Sequence, residues 1–152
     1  MTGGDNAEIL ASMGRIRDLI VEGGARYEKG DADGMADDYA EDAVLTAPGI
    51  EPLHGRAAIR DFWASSIATL GEATVEVGRS LEEADIYFGE FTARATNSGD
   101  IEMPDGTTIP ATGRPVVISG AEIVLVRDGK IIEHRMFWDG LDVMGQLGLL
   151  PG

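Results

Sequence analysis

Two side chains in the second half of the chain have types and a spacing that could share a proton: Glu122 and His134. They lie on two strand-like runs, Val116 to Val126 and Ile131 to Trp138, joined by the turn sequence Arg127-Asp128-Gly129-Lys130. On the second run, alternation separates Ile132, His134, Met136 and Trp138 from Ile131, Glu133, Arg135 and Phe137. The first set carries no fixed charge and is expected to face inward, whereas Glu133 and Arg135 want water. His134 is then a titratable group in an apolar wall. The face taken by Glu122 depends on the turn. A three-residue loop with Gly129 in the left-handed region pairs Val126 with Lys130 and sets Glu122 beside His134. A two-residue Asp128-Gly129 turn instead opposes Ile123 to His134 and sends Glu122 to solvent. Local sequence allows both.

If both side chains face inward, a simple chemistry is available. Desolvation penalises the charged form of a carboxyl group, and a neighbouring imidazole can hold or return a proton. Such a pair can remove a proton next to a carbonyl and stabilise the enolate by hydrogen bonding, with neither metal nor cofactor. Glu122 would be the general acid/base and His134 the hydrogen-bond donor or second proton carrier. The plainer reading is a buried pair that only satisfies itself. Asp139, at the end of the last strand, is a candidate second acid near the rim. Tyr27, Tyr39 and Trp63 are expected on helices, where they line the cavity or fill the core. Met136 and Trp138 belong to the inward set, and Arg114 could bind an acidic substrate group.

The elements that must hold these groups are legible in outline. Ile9, Met13, Ile16, Leu19 and Ile20 recur every three or four residues, predicting a helix from about Asn6 to Tyr27. Gly30-Asp31 stops it, and Asp31 caps a short second helix through Ala40. Thr46 to Gly49 reads as a loop, and a third helix follows Gly55 with Ile59, Phe62, Trp63 and Ile67 on one side. Val75, Val77, Ile86, Phe88 and Phe91 then switch to a period of two. The ending from Gln146 to Pro151 is an apolar tail that should dock on the body. Helices first and an antiparallel sheet after give an α+β fold in one domain over residues 1–152.

Gly30-Asp31, Tyr39 to Leu45, Pro48-Gly49, Glu51-Pro52 and Gly55 to Phe62 resemble the N-terminal half of NTF2-like proteins. Gly113-Arg114-Pro115, Ile123-Val124, Asp128 to His134, Asp139 and Gln146-Leu147-Gly148 look like the SnoaL-like polyketide cyclase and ketosteroid isomerase-like branch. The resemblance implies a cone: a curved antiparallel sheet around the N-terminal helices, with an internal pocket for a flat, mostly hydrophobic molecule. It turns Glu122 inward, since that position matches a pocket aspartate of related isomerases and cyclases. It implies an intramolecular aldol cyclisation or a double-bond shift on a hydrophobic carbonyl compound. A non-catalytic binding protein with the same pocket is the alternative. Ala47 stands where steroid isomerases carry their base, and Met136 where epoxide hydrolases of this fold need an aspartate. Both departures leave the cyclase-like placement, with glutamate reaching about 1.5 Å further than aspartate.

Composition narrows the partners. Twelve Lys and Arg against 27 Asp and Glu give a formal charge of −15, which repels nucleic-acid backbones and anionic membranes. No cysteine is present, so disulfides and thiolate chemistry are excluded. No secretory signal is visible at the N-terminus, and the expectation is a cytoplasmic protein. No metal-binding spacing, phosphate loop or serine-nucleophile elbow occurs, so no metal or cofactor is expected. A homodimer through the open sheet face is expected from Val117, Ile131 and Phe137.

Overall fold

A computed structural model describes residues 14–151. The first helix, α1 (Arg15–Glu28), buries Ile16 and Tyr27. The predicted stretch before residue 14 lies outside the described residues. The free N–H groups of its first turn are met from across the fold. Glu82 accepts from the backbone of Ile16 (3.1 Å) and Arg17 (3.2 Å), placing a negative charge at the positive helix end. Gly23-Gly24 lies within α1, which continues unbroken. The second helix, α2 (Ala32–Ala36), is capped by Asp31, whose side chain accepts from Gly34 N–H at 2.8 Å.

This helix ends before Ala40, where the sequence pattern carried it. Tyr39–Thr46 is a strand instead, β1. Ala43 and Leu45 of β1 have no exposed surface. Burying a leucine side chain contributes about 1.5–3 kcal/mol, more than the few tenths by which helix propensity favours Ala40 and Glu41. Tertiary packing therefore decides this segment.

After β2 (Leu53–His54) comes α3 (Arg56–Thr69), then the long strands β3 (Leu70–Glu83) and β4 (Ile86–Asn97). A two-stranded ribbon, β5 (Ile101–Glu102) and β6 (Thr108–Ile109), precedes β7 (Pro115–Arg127) and β8 (Lys130–Trp138). The last element is α4 (Gly140–Gln146). The main sheet has the order β2-β1-β8-β7-β4-β3. β1 runs parallel to β8 while the other neighbours are antiparallel, so the sheet is mixed. Register shifts after Gly71 and after Val77 break the β3–β4 ladder, with Glu72 at φ 52°. Bulges of this kind bend a strand and raise its twist, which curves the sheet around α1 and α3.

The core between helices and sheet contains Ile16, Leu45, Ile59, Tyr87, Val124 and Ile131. Asn97, fully buried, spends its side chain on Thr69, Gly99 and Thr112 and so ties down the loop that follows it. β7 outruns β8, and the side-chain amide of Gln146 substitutes for the missing strand. It accepts from Val117 N–H (2.7 Å) and donates to Val117 C=O (2.8 Å). Leu147 is buried behind it, so the tail docks as its apolar character suggests.

Candidate active site

The β7–β8 hairpin decides which side chains meet. Arg127 pairs with Lys130, and Asp128 (φ 51°) and Gly129 (φ 75°) both take the left-handed region. This is the two-residue turn, whose undisturbed ladder would send Glu122 outward. A bulge corrects the parity. Val126 pairs with Ile131, but Leu125 pairs with Glu133, leaving Ile132 as the extra residue. His134 therefore opposes Val124, and Glu122 opposes Met136. Glu122 and His134 are diagonal neighbours on the inner face, a register that neither simple turn provides. The bulge also exchanges Ile132 for Ile131 on the inner face: Ile131 is 3% exposed and lines the cavity. Ile131 is thus lost to the outer face expected of it.

Glu122 is 6% and His134 5% exposed, and Glu122 Oε2 lies 2.8 Å from His134 Nε2. The other ring nitrogen, Nδ1, is 2.7 Å from the hydroxyl of Tyr39. That hydroxyl accepts from the indole N–H of Trp63 at 3.2 Å. The four side chains come from α3, β1, β8 and β7 in turn. Burial pushes the Tyr39 hydroxyl well above the usual tyrosine range, with the charge of Glu122 in the same direction and the Trp63 bond opposing. It stays protonated.

One end of this chain fixes its direction. An indole nitrogen can only donate. Tyr39 oxygen receives that hydrogen, so its own O–H points to His134 Nδ1. Nδ1 is then the bare nitrogen, Nε2 carries the hydrogen, and Glu122 Oε2 accepts it. With Nδ1 protonated, the Tyr39 oxygen would face two donors and its own hydrogen would have no acceptor among the described residues. A buried donor left unpaired costs about 1–3 kcal/mol. The second carboxylate oxygen, Oε1, makes no hydrogen bond with the described residues and is not sealed off from the cavity.

That cavity has a volume of about 150 Å³. Leu19, Ile20, Gly23 and Tyr27 of α1 form its roof with Phe62 and Trp63 of α3, and Val75, Phe91, Ile118, Met136 and Trp138 form the sheet side. Tyr27 stands edge-on to Trp63, with ring centres 6.0 Å apart. Its hydroxyl pairs with Ser66 at 2.8 Å, and burial raises that hydroxyl too. Asp38 also lines the cavity, where the Arg26 guanidinium pairs with it at 2.5 Å. No local signal distinguishes Asp38 from Asp37, and the sequence reading passed over it.

Of the candidate site residues, Glu122, His134, Tyr27, Tyr39, Trp63, Met136 and Trp138 come together at this cavity. Tyr39 does so from a strand, not a helix. Two candidates lie elsewhere. Asp139 caps α4, accepting from Asp142 N–H at 3.0 Å, and borders a separate hollow under that helix. The exposed Arg114 packs its guanidinium against Gly148 of the C-terminal tail. Neither reaches the Glu122–His134 pair. Among the described residues, no three His, Asp or Glu side chains gather as a metal site, and no helix is long and apolar enough to cross a membrane.

A pocketed cone with an acid–imidazole pair on its last two strands can be placed among known proteins. The model of the SnoaL-like domain matches residues 24–134. The chain belongs to the SnoaL-like family. No curated protein matches it. Among solved structures, the SnoaL-like chain is similar to IdmH, a putative polyketide cyclase from Streptomyces antibioticus. Identity is 28% over 87% of this chain and 97% of that one, with a TM-score of 0.70. TsrD from Streptomyces laurentii has a TM-score of 0.77 at 22% identity, covering 91% of this chain and 98% of its own. AclR, a putative hydroxylase from Streptomyces galilaeus, has a TM-score of 0.76 at 22% identity, covering 92% and 100%. The last two share the α+β cone alone, and the chemistry has to be argued from the site.

Proposed function

We propose that this protein is a cofactor-independent acid/base enzyme acting on a hydrophobic carbonyl compound, by polyketide cyclase-like aldol cyclisation or by isomerisation. The observation that carries the reading is the carboxylate of Glu122, held at one oxygen by His134 and open at the other to an apolar cavity. Glu122 Oε1 takes a proton from the carbon next to the carbonyl, and the electron pair of that C–H bond moves into the enolate. The carboxyl group then has an O–H of its own. It donates to the enolate oxygen, or returns the proton at a new carbon or at the alkoxide formed by ring closure. His134 keeps the pair oriented through its Nε2–H. The similarity to IdmH supports a cyclase-type reaction over other proton transfers.

The test is deuterium exchange next to the carbonyl of 2-tetralone in heavy water, followed by NMR. A general base contributes about 10²–10⁴-fold, so Glu122→Gln should lose acceleration of that order while still binding the ketone. Unchanged exchange in this variant would remove Glu122 from the mechanism. Saturable binding without any exchange in the wild type would instead favour a non-catalytic binding protein. A homodimer through the outer sheet face, where Phe137 and Phe88 are exposed, is part of the same proposal. Sedimentation at micromolar concentration tests it.

A further inference from the structure

The donors of the relay that ends on Glu122 are already spoken for. Trp63 N–H goes to Tyr39, the Tyr39 hydroxyl to His134, and His134 Nε2–H to Glu122. The hydroxyls of Tyr27 and Ser66 share one hydrogen bond. What the wall offers an occupant is a carboxylate oxygen, Glu122 Oε1. No lysine or arginine lines the cavity among the described residues. Arg26 is taken up by Asp38, which adds a second carboxylate to the wall. The whole chain carries a formal charge of −15.

We propose that the cavity takes neutral, flat ligands whose polar end presents a hydrogen-bond donor or an acidic hydrogen to Glu122, and that it excludes carboxylates of the same size. The inference rests on the reading of Glu122 as the ionised base and names the ligand class of that same site. A ligand carboxylate would meet Glu122 at close range in a desolvated space, where like charges cost several kcal/mol. It would find no lysine or arginine on the wall to repay its lost water. A neutral donor makes a charge-assisted bond to Oε1 while its flat body replaces water against Trp63, Met136 and Trp138. A cavity of about 150 Å³ suits one six-membered ring, with anything larger extending towards the mouth.

Phenol, toluene and benzoate share that ring and differ only in the group offered to Glu122. Both tryptophans of the chain, Trp63 and Trp138, line the cavity, so their fluorescence reports occupancy directly. Titrated at pH 8, phenol should bind about tenfold more tightly than toluene and at least about 100-fold more tightly than benzoate. Glu122→Gln should bring benzoate to within about tenfold of phenol, and Glu122→Asp should retain the exclusion. Benzoate binding as tightly as phenol to the wild type would overturn the inference, whether or not the variants fold. A preference that survives unchanged in a folded Glu122→Gln would do the same. Because these are binding measurements, they are independent of deuterium exchange. Exchange can fail while the preference stands, which would count against the enzyme and not against the ligand class.

Discussion

Tyr39→Phe removes one oxygen atom and leaves two groups without partners. The Tyr39 hydroxyl receives Trp63 N–H and supplies His134 Nδ1, and Tyr39 is only 3% exposed. Each stranded buried polar group costs about 1–3 kcal/mol. Trp63 is half-buried, and its N–H can recover a water in the cavity, so the low end applies there. The Nδ1 lone pair, held in a residue 5% exposed, deserves the higher figure. Together they predict a loss of about 2–4 kcal/mol in unfolding free energy, read from urea denaturation of the wild type and the variant. Trp63→Phe removes the first donor alone, and the double variant should fall short of the sum by about 1 kcal/mol, because the two share one hydroxyl. A loss below about 0.5 kcal/mol for Tyr39→Phe, the level of an ordinary surface substitution, would refute the relay as a stabilised unit. Loss without coupling to Trp63 would refute its continuity.

Alkaline titration gives a second check. Burial holds the hydroxyls of all three tyrosines, Tyr27, Tyr39 and Tyr87, above their ordinary value. The folded chain therefore keeps these protons after the unfolded chain has released them. Their contribution to stability is complete below about pH 10 and is lost as pH rises beyond it. Native protein at about pH 10 should show little tyrosinate absorbance, with about half of the full signal appearing on addition of urea; native tyrosines ionised to the same extent as the unfolded ones would contradict this. Gly89→Ala places a Cβ into the hydroxyl of the fully buried Tyr87, which has to shift to admit it. Thermal melting should show a destabilisation of about 1–3 kcal/mol. Asp139→Ala removes the α4 cap and should cost about 1 kcal/mol while leaving phenol binding unchanged. A loss of binding would return Asp139 to the site.

The fold was largely legible because its strongest periodicities are local. The apolar face of α3, the Asp31 cap and the two runs flanking Asp128-Gly129 all appear where their residues predict them. β1 was hidden, since its Ala- and acid-containing sequence becomes a strand only by pairing in parallel with β8, nearly ninety residues later in the chain. The site was legible in its residue types but not in its register. Ile131 and Ile132 are chemically alike, and nothing local says which of them a bulge will set aside. That choice decides whether Glu122 joins His134. The Tyr39–His134 bond spans a sequence separation of 95 and depends on the strand that was missed. Arg114 and Asp139 lie away from the cavity because the tail and α4 claim them.

The most direct measurement is the protonation state of the His134 ring nitrogens, by nitrogen-15 NMR at neutral pH. The chain has only one other histidine, His54, and a His54→Gln variant identifies the signals. A bare Nδ1 with the hydrogen on Nε2 is predicted, because the indole of Trp63 sets the direction of the whole chain and leaves Glu122 as the acceptor. A hydrogen on Nδ1 with Nε2 bare would contradict it, reversing the relay and taking the free base away from the cavity.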